Sequence, residues 1–174
     1  MVLATQNPVD FVGTYPLPEA QMDRFFMRIS IGYPNLEDEM DILERHSGAV
    51  NPIKTLSPVC SSEDILAMQQ EVKTIYCAKE IRAYIASLCA ATRNCSYLSL
   101  GASTRAAIAL LHAAQASALL CGRDYVIPED VAAVFSDVCS HRLVLSTKAK
   151  MMEERPENII RSIIASVNMP VIKK

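Results

Sequence analysis

The chain has 174 residues, 51% of them apolar, and a formal net charge of −2. This near balance of acidic and basic residues provides no strongly basic surface, so we expect no nucleic-acid partner. No apolar run reaches the ~20 residues that a bilayer-spanning helix needs, and the start lacks the pattern of a secretory signal peptide. These features predict a cytoplasmic protein of one or one and a half domains.

The first 34 residues predict a small α/β segment. An apolar run at residues 2–4 ends in a polar step that includes Asn7, which is how a buried strand looks where it delivers polar side chains to a crevice. Residues 18–24 predict a short helix, and residues 25–31 predict a second strand. We therefore expect two strands and one helix here.

From residue 35 onward, the sequence predicts a bundle of about five helices. The first should begin at Asn35, a good N-cap, with an inward stripe formed by Leu36, Met40 and Leu43. A turn rich in Gly and Pro precedes it, so we place the domain boundary there. The two expected domains are residues 1–34 and residues 35–174.

Later signals mark further helices in the same bundle. Ser61 and Ser103 are suited to N-cap two of them, and Gly122 is suited to end one. Ile81, Ile85, Leu88 and Ala91 recur at helical spacing, as do Val131, Val134 and Val138. Residues 94–99 predict a turn, and residues 143–155 predict loose structure.

The cysteines and histidines carry no recognisable site pattern. Six cysteines are scattered without a C-x-x-C pair, and four lie within apolar helical patterns where a free thiol acts as a small hydrophobe. His46 and His141 fall near helix C-termini, and His112 has no second ligand four residues on. We therefore predict no metal site and no nucleophilic catalysis.

Two blocks of the sequence resemble the MoxR family of AAA+ proteins. The first contains ATQNP, GTYPLPEAQMDRF and GYP, and the second reads LGASTRAAIALLHAAQASALLCGRDYVIPEDV. Together they correspond to the back of the family's ATPase core and to its helical lid. The resemblance extends over the whole chain but does not include the front of that core.

The resemblance implies roles for three residues. Asn7 stands at the family's sensor 1 position, where it would orient the attacking water, and Arg24 stands at the position of the arginine finger that reaches a neighbouring subunit's nucleotide. Arg105 stands at the sensor 2 position beside the γ-phosphate. The family usually has Pro where Thr104 stands, a departure that leaves Arg105 in register.

Each of these residues also has a plainer reading. Asn7 precedes a proline and could be a turn residue. Arg24 follows Asp23 and could form a local ion pair worth under about 1 kcal/mol. Arg105 could be a solvated arginine, although a cation in the first turn of a helix is disfavoured by the dipole and suits contact with an anion.

The sequence lacks the devices that grip ATP. None of its five glycines opens a G-x-x-x-x-G-K-[ST] loop, and no apolar strand ends in an acidic pair for Mg²⁺. This chain alone should therefore not hydrolyse ATP. The resemblance implies ATP and Mg²⁺ as ligands of the full-length protein, a hexameric homo-oligomeric ring, and chaperone-like work on client or von Willebrand A-domain proteins.

Two other function classes compete with this interpretation. A helical protein-interaction module would need no nucleotide and no convergence of Asn7, Arg24 and Arg105. A stand-alone enzyme would need an acid–base or nucleophile constellation, which the sequence does not offer. Unpaired strands in the first 34 residues would also favour self-association.

Overall fold

The computed structural model describes residues 2–5, 18–48 and 51–171. These residues form eight α-helices: α1 (Glu19–Met22), α2 (Leu36–Ser47), α3 (Ser62–Val72), α4 (Lys79–Arg93), α5 (Thr104–Leu120), α6 (Pro128–Cys139), α7 (Thr147–Met151) and α8 (Pro156–Ser166). They also form two strands, β1 (Leu98–Leu100) and β2 (Val144–Leu145), and two short 3₁₀ helices, Pro52–Thr55 and Ser140–Arg142. The predicted mainly helical fold class is confirmed.

The hydrophobic core lies among α4, α5, α6 and α8. Its largest fully buried apolar side chains are Phe135, Ile81, Leu88, Leu110, Ile160, Val126, Val131 and Val138. The buried face of α5 is largely alanine, with Ala106, Ala109, Ala113, Ala114 and Ala118. Because these side chains are small, α6 can pack closely along α5, and the two helices form the centre of the bundle.

The predicted helix ends are confirmed at four places. Asn35, Ser61 and Ser103 each accept a hydrogen bond from a backbone N–H in the first turn of α2, α3 and α5 respectively. Gly122 has φ +70°, and the N–H groups of Gly122 and Arg123 donate to the carbonyls of Leu119 and Ala118. This pair of bonds is the Schellman arrangement, which satisfies carbonyls at the end of α5.

The two strands predicted in the first 34 residues are wrong. Residues 2–5 and 25–31 contain no strand, and residues 27–31 run as irregular chain. The Arg28 N–H donates to the Asp137 carbonyl at 2.8 Å, so this segment follows α6 instead of pairing in a sheet. A strand needs a neighbouring strand for its backbone groups, and no described residue supplies one for this segment.

The inward stripe predicted for α2 is also wrong. Leu36, Met40 and Leu43 are 75%, 63% and 66% exposed, and α2 has no buried residue. Leu36, Met40 and Leu43 do lie on a helix, but the described part of the chain places no element over that face. The apolar face of α3 is only partly covered. Its Ile65 and Val72 are half-buried, and its Met68 is 41% exposed.

The connection between α4 and α5 and the connection between α6 and α8 are both more ordered than predicted. β1 pairs with β2 antiparallel, Leu98 opposite Leu145, and the short helix α7 follows. These elements fall in the predicted turn at residues 94–99 and the predicted loose segment at residues 143–155. None of the described helices has the length and apolar character needed to cross a membrane.

Candidate functional site

The start of α5 is held in place by the end of α4. Thr92 is fully buried, and its hydroxyl accepts a hydrogen bond from the Ala102 N–H at 2.8 Å. Gly101 lies so close to the backbone of Arg93 that a Cβ built on it would be 2.6 Å from the Arg93 nitrogen. This close approach fixes where Ser103 and the first turn of α5 lie.

Arg105 projects from that first turn. Its side chain is 60% exposed, and its Nη1 atom lies 3.6 Å from the Oδ2 atom of Asp23. α5 is 17 residues long, and Ser103 caps the Ala106 N–H at 3.2 Å. An exposed guanidinium beside the N-terminus of a long helix is an arrangement that can hold a phosphate or another anion.

The carboxylate of Asp23 contacts three side chains of the helical bundle. The Ser103 hydroxyl donates to its Oδ1 atom at 3.0 Å, and the Arg142 Nε atom lies 3.6 Å from the same oxygen. The contact with Arg105 is the third. The sequence suggested an ion pair between Asp23 and Arg24, whereas the structure pairs Asp23 with arginines more than eighty residues further along the chain.

Arg142 is the buried member of this cluster. Only 2% of its side chain is exposed, and its Nη2 atom donates to the Phe25 carbonyl, with the Phe26 carbonyl 3.4 Å away. Burial lowers the pKa of Arg142 from its ordinary value, and the carboxylate of Asp23 opposes that effect. The guanidinium of an arginine stays protonated in proteins, so the side chain of Arg142 places a positive charge beneath residues 23–26.

His141 contacts the same Phe25 carbonyl as Arg142. Its Nε2 atom lies 3.3 Å from the Phe25 carbonyl, which selects the tautomer that carries its proton on Nε2. Burial lowers the pKa of His141, although this hydrogen bond opposes the change. The neutral imidazole is therefore the form that suits this position near neutral pH.

Two of the three predicted site residues can be located. Arg24 is exposed and is the second residue after α1, with its N–H donating to the Gln21 carbonyl at 3.1 Å. Arg105 reaches the neighbouring Asp23, so the structure brings Arg105 and the Arg24 segment together. Asn7 lies outside the described residues, so its predicted role stays a prediction.

Sequence reasoning missed Asp23 and Arg142 as members of one cluster. Asp23 lies inside the PEAQMDRF block, which is a usable signal, but the sequence offers only the adjacent Arg24 as an alternative ion-pair partner. Arg142 follows α6 in an ordinary-looking SHRLVL segment and gives no sequence signal of its burial. A contact across 119 positions can be recognised only once the helices are packed.

The described residues suit an anion better than a metal ion. They contain no group of three or more His, Cys, Asp or Glu side chains that could hold a metal. Arg105 and the helix end beside it could contact a nucleotide's phosphate, but Mg²⁺ would need carboxylates or phosphate oxygens from elsewhere.

Two family models match the chain. The model of the AAA lid domain matches residues 90–163, which contain α5, α6 and most of α8. The model of the "ATPase family associated with various cellular activities (AAA)" matches residues 1–27, which contain α1 and Arg24. The cluster of Asp23, Arg105 and Arg142 therefore joins the two matched regions.

Relatives and a solved structure agree with these matches. The chain is 44% identical over 170 residues to the "Uncharacterized protein YeaC" of Bacillus subtilis, covering 98% of this chain and 53% of that protein. It is 38% identical over 181 residues to "Chaperone MoxR1" of Mycobacterium tuberculosis, covering 99% of this chain and 47% of that protein. The chain thus spans about half the length of the curated relatives it matches.

The structural comparison gives the same result. A crystal structure described as a "putative ATPase" from Cytophaga hutchinsonii superposes with a TM-score of 0.86 at 37% sequence identity. The superposition covers 95% of this chain and 53% of that one. Taken with the lid-domain match and the MoxR relatives, it shows that this chain belongs to the MoxR-like AAA+ proteins and matches their carboxyl-terminal portion.

Proposed function

We propose that this chain is the carboxyl-terminal half of an ATPase that couples ATP binding and hydrolysis to chaperone-like remodelling of partner proteins. The observation that carries the proposal is the contact of Asp23 with Ser103 and Arg105, because it joins the segment bearing Arg24 to the helix bearing Arg105. In the AAA+ family, the lid moves relative to the core in response to nucleotide, and such a contact would connect these two parts.

In this proposal, residues 1–34 are part of the ATPase core, and residues 35–174 form the lid. Arg24 is the arginine finger. Its side chain is exposed, as a group that reaches a neighbouring subunit's nucleotide must be. Its guanidinium would neutralise charge that develops on the transferred phosphoryl group, a role worth about 10³-fold or more in rate in other systems.

Arg105 acts as sensor 2 in the same proposal. It stands exposed at the N-terminus of α5, so it can leave Asp23 for a phosphate without unpacking the core. Asn7 is proposed to orient the attacking water as sensor 1. Mg²⁺, when bound with ATP, would neutralise phosphate charge, and its ligands would come from the front half of the core.

We further propose a cytoplasmic, homo-oligomeric ring, with six subunits, that acts on client or von Willebrand A-domain proteins. The name "Chaperone MoxR1" of the Mycobacterium tuberculosis relative supports the chaperone-like class of activity. The alternative, a helical interaction module without nucleotide, is not favoured, because the matched family regions are those of an ATPase.

The test uses this chain extended by its upstream coding sequence, which under this proposal encodes a phosphate-binding loop. Arg24→Ala should retain ATP binding and lose turnover by about 10³-fold, because the finger acts on the transition state. Arg82→Ala, which changes an exposed arginine on α4, is the matched control and should turn over normally. Unchanged turnover in Arg24→Ala would refute the finger, and an upstream sequence without a phosphate-binding loop would refute the ATPase.

A further inference from the structure

The chain around Arg24 is fastened to the bundle on both sides of that residue. On one side, Asp23 contacts Ser103, Arg105 and Arg142. On the other side, the Phe25 carbonyl accepts a hydrogen bond from Arg142. Arg24 lies between these two attached residues with its own side chain exposed.

A third attachment lies slightly further along the chain. The Arg28 N–H donates to the Asp137 carbonyl at the end of α6. Residues 23–28 therefore follow the bundle even though they form no regular secondary structure beyond α1. The bundle therefore fixes the position of the Arg24 backbone, since the side chain of Asp23 on one side and the carbonyl of Phe25 on the other contact it.

Among the described side chains, Arg142 alone makes polar contacts with both neighbours of Arg24. Its Nε atom lies 3.6 Å from Asp23 Oδ1, and its Nη2 atom donates to the Phe25 carbonyl. We propose that Arg142 is the positioning residue that sets the place of the finger Arg24 relative to the lid. This inference rests on the function proposed above.

The chemistry of arginine suits this role. A buried cation is costly unless it is paired and hydrogen-bonded, so Arg142 favours the arrangement in which Asp23 and Phe25 cover it. The planar guanidinium can contact two groups at fixed relative positions, which a lysine ammonium cannot reproduce. Its side chain extends from the 3₁₀ helix Ser140–Arg142, which packs against α6 and α8.

The attachment leaves Arg24 dependent on lid position. A shift of the bundle by an ångström would move the guanidinium of Arg24 by a similar amount, since residues 23–28 are bonded to it. Misplacement of a catalytic group by about 1 Å can reduce a rate by about 10²-fold. Movement of the lid in one subunit would thereby change catalysis at the neighbouring subunit's nucleotide.

The first arm of the test measures hydrogen exchange in the 174-residue chain. Arg142→Lys and Asp23→Asn should each speed amide exchange in residues 24–28 at least about fivefold while α5 and α6 exchange as before. Asp23 is a quarter exposed, so its variant should fold even if the Arg142 variant does not. Arg82→Lys is the control. Unchanged exchange at residues 24–28, or equal acceleration across α5 and α6, would overturn the inference.

The second arm measures ATP turnover in the chain extended upstream. Arg142→Lys should lower kcat by about 10- to 100-fold with little change in KM, since the finger acts on the transition state. Combined with Arg24→Ala it should cause no further loss, because both changes remove the same contribution. A purely structural role would change KM and give multiplicative losses.

The outcomes separate the two proposals. Slow turnover in Arg24→Ala with normal turnover in Arg142→Lys would refute the positioning role and leave the finger intact. Normal turnover in Arg24→Ala would refute the finger, and with it the positioning of that finger by Arg142. The exchange experiment would still report the attachment of residues 23–28, because it needs no nucleotide.

Discussion

The hydroxyl of Ser103 donates a hydrogen bond to the carboxylate of Asp23 at 3.0 Å, joining residues that lie 80 positions apart in the chain. The same hydroxyl oxygen accepts a hydrogen bond from the Ala106 N–H as the N-cap of α5. One small side chain thus caps a helix and attaches the α1 segment to it. Both roles can be measured separately.

Ser103→Ala should lower the free energy of unfolding by about 1–2 kcal/mol, because it removes the cap and the bond to Asp23. In a double-mutant cycle with Asp23→Asn, the two changes should couple by about 0.5 kcal/mol or more. Ser61→Ala is the matched control, since Ser61 caps α3 and has no contact with Asp23 among the described residues. Urea unfolding measures all these variants. If Asp23→Asn coupled as strongly with Ser61→Ala as with Ser103→Ala, the result would contradict the attachment of Asp23 to Ser103.

Gly101→Ala should destabilise the fold by about 1–3 kcal/mol, because an added Cβ overpacks a tight contact. That Cβ would lie 2.6 Å from the Arg93 nitrogen and 2.8 Å from the Thr92 carbonyl carbon, and backbone atoms cannot move aside as a flexible side chain can. Gly48→Ala is the control, since nothing lies within 4 Å of its added Cβ. Thermal unfolding of both variants checks this; similar midpoints would show that Gly101 does not approach the end of α4 so closely.

Thr92→Val should lower the free energy of unfolding by about 1–3 kcal/mol, because the buried Ala102 N–H would lose its acceptor. Thr74→Val is a closely matched control. Both hydroxyls donate to the carbonyl three residues earlier, at 2.7 Å and 2.8 Å respectively, but Thr74 is exposed and accepts no hydrogen bond from the described residues. If urea unfolding showed that Thr92→Val lowers the free energy of unfolding no more than Thr74→Val does, the result would contradict the structure.

The free energy of unfolding should fall as the pH decreases below about 6.5, the ordinary pKa of histidine. Burial lowers the pKa of His141 in the folded state, so the unfolded chain takes up this proton first. The contribution of the neutral His141 to the free energy of unfolding is therefore fully present above the pKa that His141 has in the unfolded chain. It is lost as the pH falls toward the lower pKa that His141 has in the folded chain. The charges of Arg142 and Arg28 also lower the pKa of His141, whereas the carboxylate of Asp23 raises it.

Urea unfolding between pH 5 and pH 8 measures this dependence. His141→Asn should flatten the slope, because an asparagine has no proton to gain and can still donate to the Phe25 carbonyl. His46→Asn, at an exposed position on α2, is the control and should keep the slope of the unchanged chain. Equal slopes in the His141→Asn variant and the unchanged chain would contradict a buried neutral imidazole.

The helices could be predicted from the sequence because their signals are local. Caps such as Ser103, the C-terminal Gly122 and the apolar spacing in α4 act within one or two turns, and each lies where it was expected. The exposed stripe of α2 shows the limit of such reasoning. Apolar spacing fixes which face would be buried, but only a packed neighbour can bury it.

The site was only partly predictable for a related reason. Arg24 and Arg105 were found through ordered motifs, whose residues are contiguous in the chain. Asp23 and Arg142 meet only after α5, α6 and the α1 segment have packed together, and neither shows unusual spacing. The strands expected at residues 2–5 and 25–31 failed because strand formation depends on partners, which a sequence pattern does not supply.

One experiment tests both the role of Arg24 as an arginine finger and the assembly of a ring. Two inactive variants of the upstream-extended chain are mixed, and ATP turnover is measured. One carries Arg24→Ala, and the other lacks the lysine of the phosphate-binding loop. If Arg24 acts on a neighbouring subunit's nucleotide, mixed assemblies place an intact finger beside an intact nucleotide site, so ATP turnover should reappear. Turnover that stays at the level of the separate variants, in assemblies shown to be mixed, would contradict a finger that acts between subunits.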